Sequence, residues 1–305
     1  MRKSHVISLF ILFIVVTILI LSQAFTGPGS DVTLNGPTRS PITAPPTSTP
    51  THTPIPTATA TPEPTPIVKP QLDFTKFTGL SQQSNIWNVI MLRDSEDPNK
   101  VTYQPDPQVA KLIEGTACFY ENAQGEGKEI FLTFSLGYLN NEIEILDALK
   151  AAGAHGTFFV PANYVELNAA KAEDAALVLK RIVEEGHTMA ARDKIGVSNA
   201  TPEQFCDNLW AVTEIYQQYA GDTKKVDYYR PNQLSEMNIA LVEAMGSKVA
   251  LFSFSVADNT NALNNMVKNT TDGSIISLLT GKNHSSVLAD YISQMTAKGY
   301  TFNAL

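Results

Sequence analysis

The side chains that most often hold metals or act as nucleophiles are few in this chain. Three of its five histidines, His155, His187 and His284, lie in the C-terminal two thirds. No two of them have the i, i+4 spacing with which a helix presents two imidazoles to zinc. The two cysteines, Cys118 and Cys206, are 88 residues apart, which does not suggest a zinc ribbon. The spacing of these residues therefore predicts no metal centre.

A second group of side chains could bind an anion. Arg192, Asp193 and Lys194 are consecutive, and Arg230 and Asp258 each follow a short β-rich segment. The candidate ligand pocket consists of Tyr138, Arg192, Asp193, Lys194, Arg230 and Asp258. Because guanidinium groups hold carboxylates in bidentate fashion, Arg192, Lys194 and Arg230 could form a cationic pocket. In the alternative interpretation, the same charges pair with one another and hold the loops.

The elements that position these groups follow from residue 129 onward, where β-rich segments alternate with helical patterns. The predicted strands cover residues 130–134, 157–160, 249–254 and 274–279. The predicted helices cover residues 142–152, 170–185, 202–220, 236–245 and 285–298. A glycine follows each helix, as a left-handed C-cap favours; these are Gly153, Gly186, Gly221, Gly246 and Gly299. The alternation predicts an α/β fold, an irregular (β/α) barrel of about seven strands with its chemistry at the strand ends.

The N-terminus predicts a location outside the cytoplasm. Arg2 and Lys3 precede an apolar run over residues 6–21, which is typical of an export signal or a signal anchor. We expect a retained, single-pass transmembrane anchor, with the rest of the chain outside the cytoplasm by the positive-inside rule. Small residues after the run also permit cleavage, which would make the protein secreted.

A spacer separates this anchor from the globular part. Of the thirty residues in 37–66, ten are Pro and ten are Thr, a composition that stays extended and solvated. The predicted organisation is a cytoplasmic stub and anchor at 1–25, a Thr/Pro-rich linker at 26–71, a lead-in segment packing on the barrel at 72–128 and a barrel domain at 129–305.

Charge and cysteine content limit the partners and cross-links. The net charge is -8 and the isoelectric point is about 5.2, so nucleic acid is not an expected partner, because its phosphates require clusters of Lys and Arg. Outside the cytoplasm, Cys118 and Cys206 could form a disulfide between the lead-in segment and the helix at 202–220. Two buried free thiols are the alternative.

Several segments together resemble one enzyme family. Residues 133–138 read Thr-Phe-Ser-Leu-Gly-Tyr, residues 156–160 read Gly-Thr-Phe-Phe-Val, and residues 229–231 read Tyr-Arg-Pro. In this order they resemble motifs of the polysaccharide deacetylases (NodB homology, carbohydrate esterase family 4), and most closely those of the delta-lactam-biosynthetic branch. The resemblance extends over residues 80–305.

The resemblance implies a catalytic site that this chain has lost. Deacetylases of the family are implied to hold a divalent metal with one Asp and two His, to use a second Asp as base, and to protonate the leaving amine with a late His. In this chain the base position holds Ser135, the metal positions hold Leu136, Arg192 and Gly196, and the acid position holds Leu279. His284, five residues beyond, is a candidate displaced acid, and His187 is expected to support the loop before the ligand positions.

Three hypotheses follow for function. The first is a membrane-tethered, catalytically inactive deacetylase-like domain that binds cell-wall glycan, such as a lactyl or uronic sugar, or an envelope partner, and needs no cofactor. The second is an active metal-dependent deacetylase of peptidoglycan or another N-acetylated polysaccharide, with a rebuilt zinc site. The third is a structural or assembly protein without affinity for glycans. The sequence indicates no oligomeric state.

Overall fold

The structure, a computed structural model, describes residues 65–97, 101–121, 128–197 and 200–305. The helices are α1 (Pro107–Ile113), α2 (Glu142–Ala152), α3 (Tyr164–Leu167), α4 (Ala172–Glu184), α5 (Pro202–Ala220), α6 (Glu236–Ala244), α7 (Ala262–Asn269) and α8 (Lys282–Ala297). The strands are β1 (Val89–Arg93), β2 (Val101–Pro105), β3 (Cys118–Phe119), β4 (Glu129–Ser135), β5 (Gly156–Pro161), β6 (Thr188–Arg192), β7 (Tyr228–Arg230), β8 (Lys248–Ala250), β9 (Phe254–Ser255), β10 (Ser274–Leu279) and β11 (Thr301–Phe302).

The main sheet is an open, parallel half-barrel. Its strand order is β3-β8-β7-β6-β5-β4-β10-β9, and β11 pairs with the start of β4. The helices α2, α4, α5 and α6 each contact the next around this sheet, and α8 packs on α2. Strands β4 and β5 are almost entirely buried, as strands covered on both faces must be. The predicted α/β barrel is confirmed, with more strands than the seven expected.

The two ends of the open sheet are joined by the segment between β8 and β9. The backbone N–H of Leu251 donates to the carbonyl of Phe119 in β3 (2.8 Å). The N–H of Ser253 donates to the carbonyl of Ile275 in β10 (2.8 Å). The prediction of one strand over residues 249–254 was therefore wrong, because the segment crosses from one end of the sheet to the other and pairs on both sides.

Local sequence signals account for the helix ends. Thr201 and Gln204 form a capping box at the start of α5, each side chain bonding the other's backbone N–H (3.3 and 3.0 Å). The glycines predicted to end the helices all have positive φ, between 61° and 89°; they are Gly153, Gly186, Gly221, Gly246 and Gly299. The short helix α7 was not predicted.

The segment before the barrel contacts it through backbone pairing and through side chains, among them that of Trp87. Asn85 and Leu234 form an antiparallel bridge, and the indole N–H of Trp87 donates to the carbonyl of Phe252 (2.9 Å). Strand β3 lies within the predicted lead-in range of 72–128 but is part of the main sheet, where it pairs with β8. The barrel therefore uses residues before the predicted boundary at 129.

The predicted anchor at 1–25 and most of the linker lie outside the described residues. Within the described ranges, no helix combines the length and apolarity that a bilayer-spanning segment needs.

Both cysteines are free thiols, which contradicts the disulfide alternative. Cys118 lies on β3, whereas Cys206 lies on α5, which packs on β6. Burial raises the pKa of each thiol to about 11, so both are protonated and poorly nucleophilic.

Candidate functional site

The carboxyl ends of the parallel strands bring several predicted site residues to one rim. Ser135 ends β4 and lies in register with Leu279 of β10 and Phe159 of β5. Arg192 ends β6 and is paired with Arg230 of β7. This rim is where the barrel fold places chemistry, and the strand-end residues that the sequence singled out lie along it.

Arg230 lies inside the barrel below this rim. Its Nε donates to the carbonyl of Ala250 (2.9 Å), its Nη2 to the carbonyl of Leu251 (2.8 Å) and its Nη1 to the hydroxyl of Thr133 (2.8 Å). The ring of Phe159 covers the guanidinium, with 3.9 Å from Cζ to the ring centroid. Burial lowers the pKa of Arg230 to about 9, which still leaves it charged at neutral pH. Arg230 therefore cross-links strands inside the barrel and is not available to contact a ligand.

No carboxylate in the described part of the chain forms an ion pair with Arg230. Its positive charge is stabilised by two backbone carbonyls, one hydroxyl and two aromatic rings. Such an arrangement is costly, because a buried charge normally needs a counter-charge. The base position on the same face of β4, two residues after Thr133, is Ser135.

Arg192, which the resemblance assigns to a metal-ligand position, is half-buried at the rim. Its Nη1 donates to the carbonyl of Leu136 (3.1 Å), and its Nη2 donates to the side-chain oxygen of Asn232 (3.2 Å). Burial lowers its pKa, against the opposing effect of nearby Asp193. Since a guanidinium in protein remains protonated, this part of the rim carries a fixed positive charge.

The two residues after Arg192 differ in their roles. Asp193 accepts hydrogen bonds from the hydroxyl of Tyr229 and from the backbone N–H of Asn232 (2.6 Å). Its carboxylate therefore fixes the loop after β7. Lys194 has neither an ion-pair nor a hydrogen-bond partner among the described residues, and its ammonium group is available to a ligand.

Asp258 lies apart from this cationic group, at the start of α8. Its Oδ1 accepts the backbone N–H of His284 (2.8 Å), which is an N-terminal cap. A Cβ on Gly281 would lie 1.9 Å from its Oδ2, so the site requires glycine. His284 is buried with Nδ1 2.9 Å from the carbonyl of Leu279, and its Nε2 is buried without a partner in the described part of the chain. This geometry gives no support to His284 as a displaced acid.

The remaining predicted positions have little catalytic capacity. Leu136 is fully buried, while Leu279 is 55% exposed and Tyr138 is 67% exposed. Gly196 is exposed with φ of 81°. Of these positions, Leu279 and Tyr138 therefore expose aliphatic and aromatic carbon, and the cationic groups lie at the end of β6.

Comparison with known proteins gives the family. A family model described as polysaccharide deacetylase matches residues 122–271. The peptidoglycan-N-acetylmuramic acid deacetylase PdaA of Bacillus subtilis (strain 168) is 28% identical over 222 residues, covering 67% of this chain and 81% of that protein. This chain belongs to the polysaccharide deacetylase family. A 30.6 kDa protein of Geobacillus stearothermophilus is 31% identical over 192 residues, covering 58% of this chain and 69% of that protein.

Solved structures of this family share the half-barrel. The structure of Bacillus subtilis PdaA, a family 4 carbohydrate esterase, has a TM-score of 0.62 at 26% identity, covering 74% of this chain and 96% of that one. A family 4 pseudoenzyme from Bacillus anthracis has a TM-score of 0.53 at 15% identity, covering 63% and 68%. At that identity the likeness concerns the fold alone.

The residues present do not fit the divalent metal that the family implies. The implied ligand positions hold Leu136, Arg192 and Gly196, none of which has a side chain that ligates a cation. Arg192 would repel the ion. In the ranges that the structure describes, no three His, Cys, Asp or Glu side chains are grouped so that they could hold one.

The predicted ligand pocket divides into three parts. Arg192, Asp193 and Lys194 stay together around Asn232, whereas Arg230 is internal and Asp258 caps a helix. Sequence reasoning missed Asn232, which links Arg192 to Asp193, and Thr133, which binds Arg230. The only sequence signal for these two residues was that each lies next to a recognised motif. Residue type gave no further indication, because an amide or a hydroxyl comes to bind a distant side chain only through tertiary contacts.

Proposed function

We propose that this protein is a catalytically inactive polysaccharide deacetylase-like domain that binds glycan of the cell envelope. The supporting observation is the set of side chains at the rim: Ser135 replaces the base, and Leu136, Arg192 and Gly196 replace the metal ligands. Water bound to a metal, and the base that deprotonates it, supply most of the chemistry in such hydrolases. Neither group can be assembled from these side chains.

Glycan binding is supported by the fixed charges that remain at the rim. Arg192 is held by Leu136 and Asn232 with its charge unpaired by any described carboxylate, and Lys194 has no described partner. A carboxylate-bearing sugar would meet two cations on the β6 side of the rim. Because Arg230 is enclosed, the cationic pocket consists of Arg192 and Lys194.

We also propose that the domain lies outside the cytoplasm, tethered through residues 1–25. The apolar run after Arg2 and Lys3 and the Thr/Pro-rich linker support this proposal. The relative named as a peptidoglycan deacetylase acts on a cell-wall polymer, which is consistent with an envelope location. Fractionation of cells expressing the tagged chain, followed by protease treatment of spheroplasts, tests it. A globular part that stays protected inside spheroplasts would refute it.

The catalytic part of the proposal is tested by assay and metal analysis. Purified protein, incubated with N-acetylated chitooligosaccharides or peptidoglycan and added zinc, is expected to release no acetate above a heat-inactivated sample. After dialysis against zinc it is expected to retain no stoichiometric metal. Metal-dependent acetate release that a chelator abolishes would instead establish the active deacetylase with a rebuilt site.

The binding part is tested by sedimentation with purified peptidoglycan sacculi. The parent protein is expected to co-sediment, and an Arg192→Gln variant is expected to bind several-fold more weakly. Arg230→Gln is unsuitable as a binding probe, because it removes hydrogen bonds that stabilise the barrel interior. Absence of co-sedimentation by the parent would favour a structural or assembly protein.

A further inference from the structure

A cleft of about 410 Å³ opens beside the rim, on the side of β6 and β7. It lies between the loop after β6, the first turns of α5 and α6, and the chain before β1. Its volume is in the range of pockets that hold a small ligand. Six of the side chains that line the cleft carry polar or aromatic groups that could contact a ligand: Gln82, Lys194, Phe205, Asn208, Asn232 and Gln233.

Several polar groups in this cleft have no hydrogen-bond partner among the residues that the structure describes. The side-chain amides of Gln82, Asn208 and Gln233 make no hydrogen bond to the described residues, and neither does Lys194. Asn232 uses only its oxygen, which accepts from Arg192, so its NH₂ group remains available. Amides present paired donors and acceptors, the combination that vicinal hydroxyls and acetamido groups require.

The cleft also has an apolar wall and one unpaired cation. Phe205 is half-buried and packs edge-on against Tyr229, with ring centroids 5.1 Å apart. The carboxylate of Asp193 also lines the cleft, but its two oxygens accept hydrogen bonds from Tyr229 and Asn232, whereas the ammonium of Lys194 has no partner among the described residues. The N-terminal amides of α5 and α6 are capped by Thr201 and Ser235, so the groups available to a ligand in this cleft are side chains.

We propose that this cleft is a subsite for one carboxylate-bearing, N-acetylated sugar unit, with Lys194 binding the carboxylate. The inference rests on the proposed function, since it assigns a place and a chemical class to the glycan. The amides of Asn208 and Gln233 bind hydroxyl or acetamido groups, and the ring of Phe205 packs on the sugar's carbon face. The rim at the carboxyl ends of the strands, where the implied catalytic positions lie, is then adjacent to the binding site and not at its centre.

The test compares two soluble ligands: an N-acetylated disaccharide with a lactyl ether carboxylate, and the same disaccharide with that carboxylate reduced to an alcohol. Titration calorimetry with the full chain is expected to show the acid bound about fivefold to tenfold more tightly, which is typical of one charge-assisted contact. Lys194→Gln is expected to abolish this preference and to leave the affinity for the alcohol unchanged.

Two further variants separate a local contact from general effects. Lys248→Gln removes the same charge from an exposed lysine at the amino end of β8, whereas the cleft lies beside the carboxyl ends of β6 and β7, and this variant is expected to bind both ligands like the parent. Asn208→Trp fills the cleft and is expected to weaken both ligands at least tenfold. Should that variant unfold by circular dichroism, Gln233→Ala replaces it, with a several-fold loss expected.

The outcomes distinguish this inference from the proposed function. If the parent binds neither the disaccharides nor sacculi, glycan binding fails and the subsite fails with it. If the parent binds them while Lys194→Gln and the cleft variant bind equally well, the subsite is refuted and glycan binding stands. A parent that binds acid and alcohol equally refutes the role of Lys194.

Discussion

Arg230 reaches across the interior of the barrel and donates a hydrogen bond from Nη1 to the hydroxyl of Thr133, 2.8 Å away. Side chains two residues apart on a strand point to the same side, so Ser135 follows Thr133 on the face that Arg230 approaches. The position that the resemblance assigns to the base holds Ser135 and no carboxylate. Arg230 links β4, β7 and the segment after β8.

This relationship predicts that Ser135→Asp will stabilise the protein. The new carboxylate supplies the counter-charge that Arg230 lacks, and we expect the free energy of unfolding at pH 7 to rise by about 1–3 kcal/mol, typical of a charged hydrogen bond. Arg230 lowers the folded-state pKa of the new carboxyl below its unfolded value of about 3.9. The gain is therefore present above that value and lost as pH falls through the folded pKa.

Equilibrium denaturation with urea at pH 7 and pH 3 measures the effect. Ser135→Asn is the matched control, since it adds nearly the same volume without charge. A Ser135→Asp variant no more stable than Ser135→Asn at pH 7 would show that the guanidinium does not reach this position.

A second prediction concerns the contact between Gly281 and Asp258. Gly281 has φ of -79°, so alanine there meets no backbone strain. Its Cβ would however displace the Asp258 carboxylate and the cap it gives to the N–H of His284. We expect Gly281→Ala to cost about 1–2 kcal/mol, close to the loss of a helix cap.

A double-mutant cycle checks this cause. In an Asp258→Ala background, Gly281→Ala is expected to cost little, since the clashing atoms are gone. Additive losses from the two substitutions would mean that steric displacement of Asp258 is not the reason.

A third prediction is a pH dependence of stability set by His187. Burial lowers the pKa of His187 to about 4, whereas the unfolded value is about 6.5. The unfolded state thus binds more protons between these values, and stability is lost as pH falls through this window, by up to about 3 kcal/mol. His187→Asn keeps an acceptor for the N–H of Gly156 and is expected to flatten the dependence.

Urea unfolding at intervals from pH 7 to pH 4 provides the measurement. His155→Asn, which alters an exposed neighbouring histidine, is the control and is expected to retain most of the slope. Equal slopes in parent and His187→Asn would assign the dependence to other groups.

A fourth prediction tests whether the metal site was lost through its ligands. The variant Leu136→Asp, Arg192→His, Gly196→His restores the implied donor set and is expected to bind zinc where the parent does not. The positive φ of Gly196 makes histidine there cost about 1–2 kcal/mol before metal is added. Elemental analysis after dialysis measures occupancy, with Leu136→Asp alone as control. Stoichiometric zinc in the parent would contradict the proposed inactivity.

Much of the fold could be predicted because its signals are local. The helices at 142–152 and 202–220 were predicted with the observed bounds, since capping residues and terminal glycines act within one turn. The run over 249–254 was misread as one strand because β-rich composition does not reveal that Leu251 and Ser253 bond to opposite ends of a sheet.

For the candidate site, the sequence by itself determined which residue types follow each motif. The resemblance predicts from motif order that Ser135, Leu136, Arg192, Gly196 and Leu279 stand at the family's catalytic positions, and that assignment stays a prediction. Only the tertiary structure decided which charges are available: Arg230 is enclosed, Asp258 caps α8 and Asp193 holds a loop, while Lys194 faces a cleft. Burial and pairing depend on contacts between residues far apart in the chain, and residue type does not encode them.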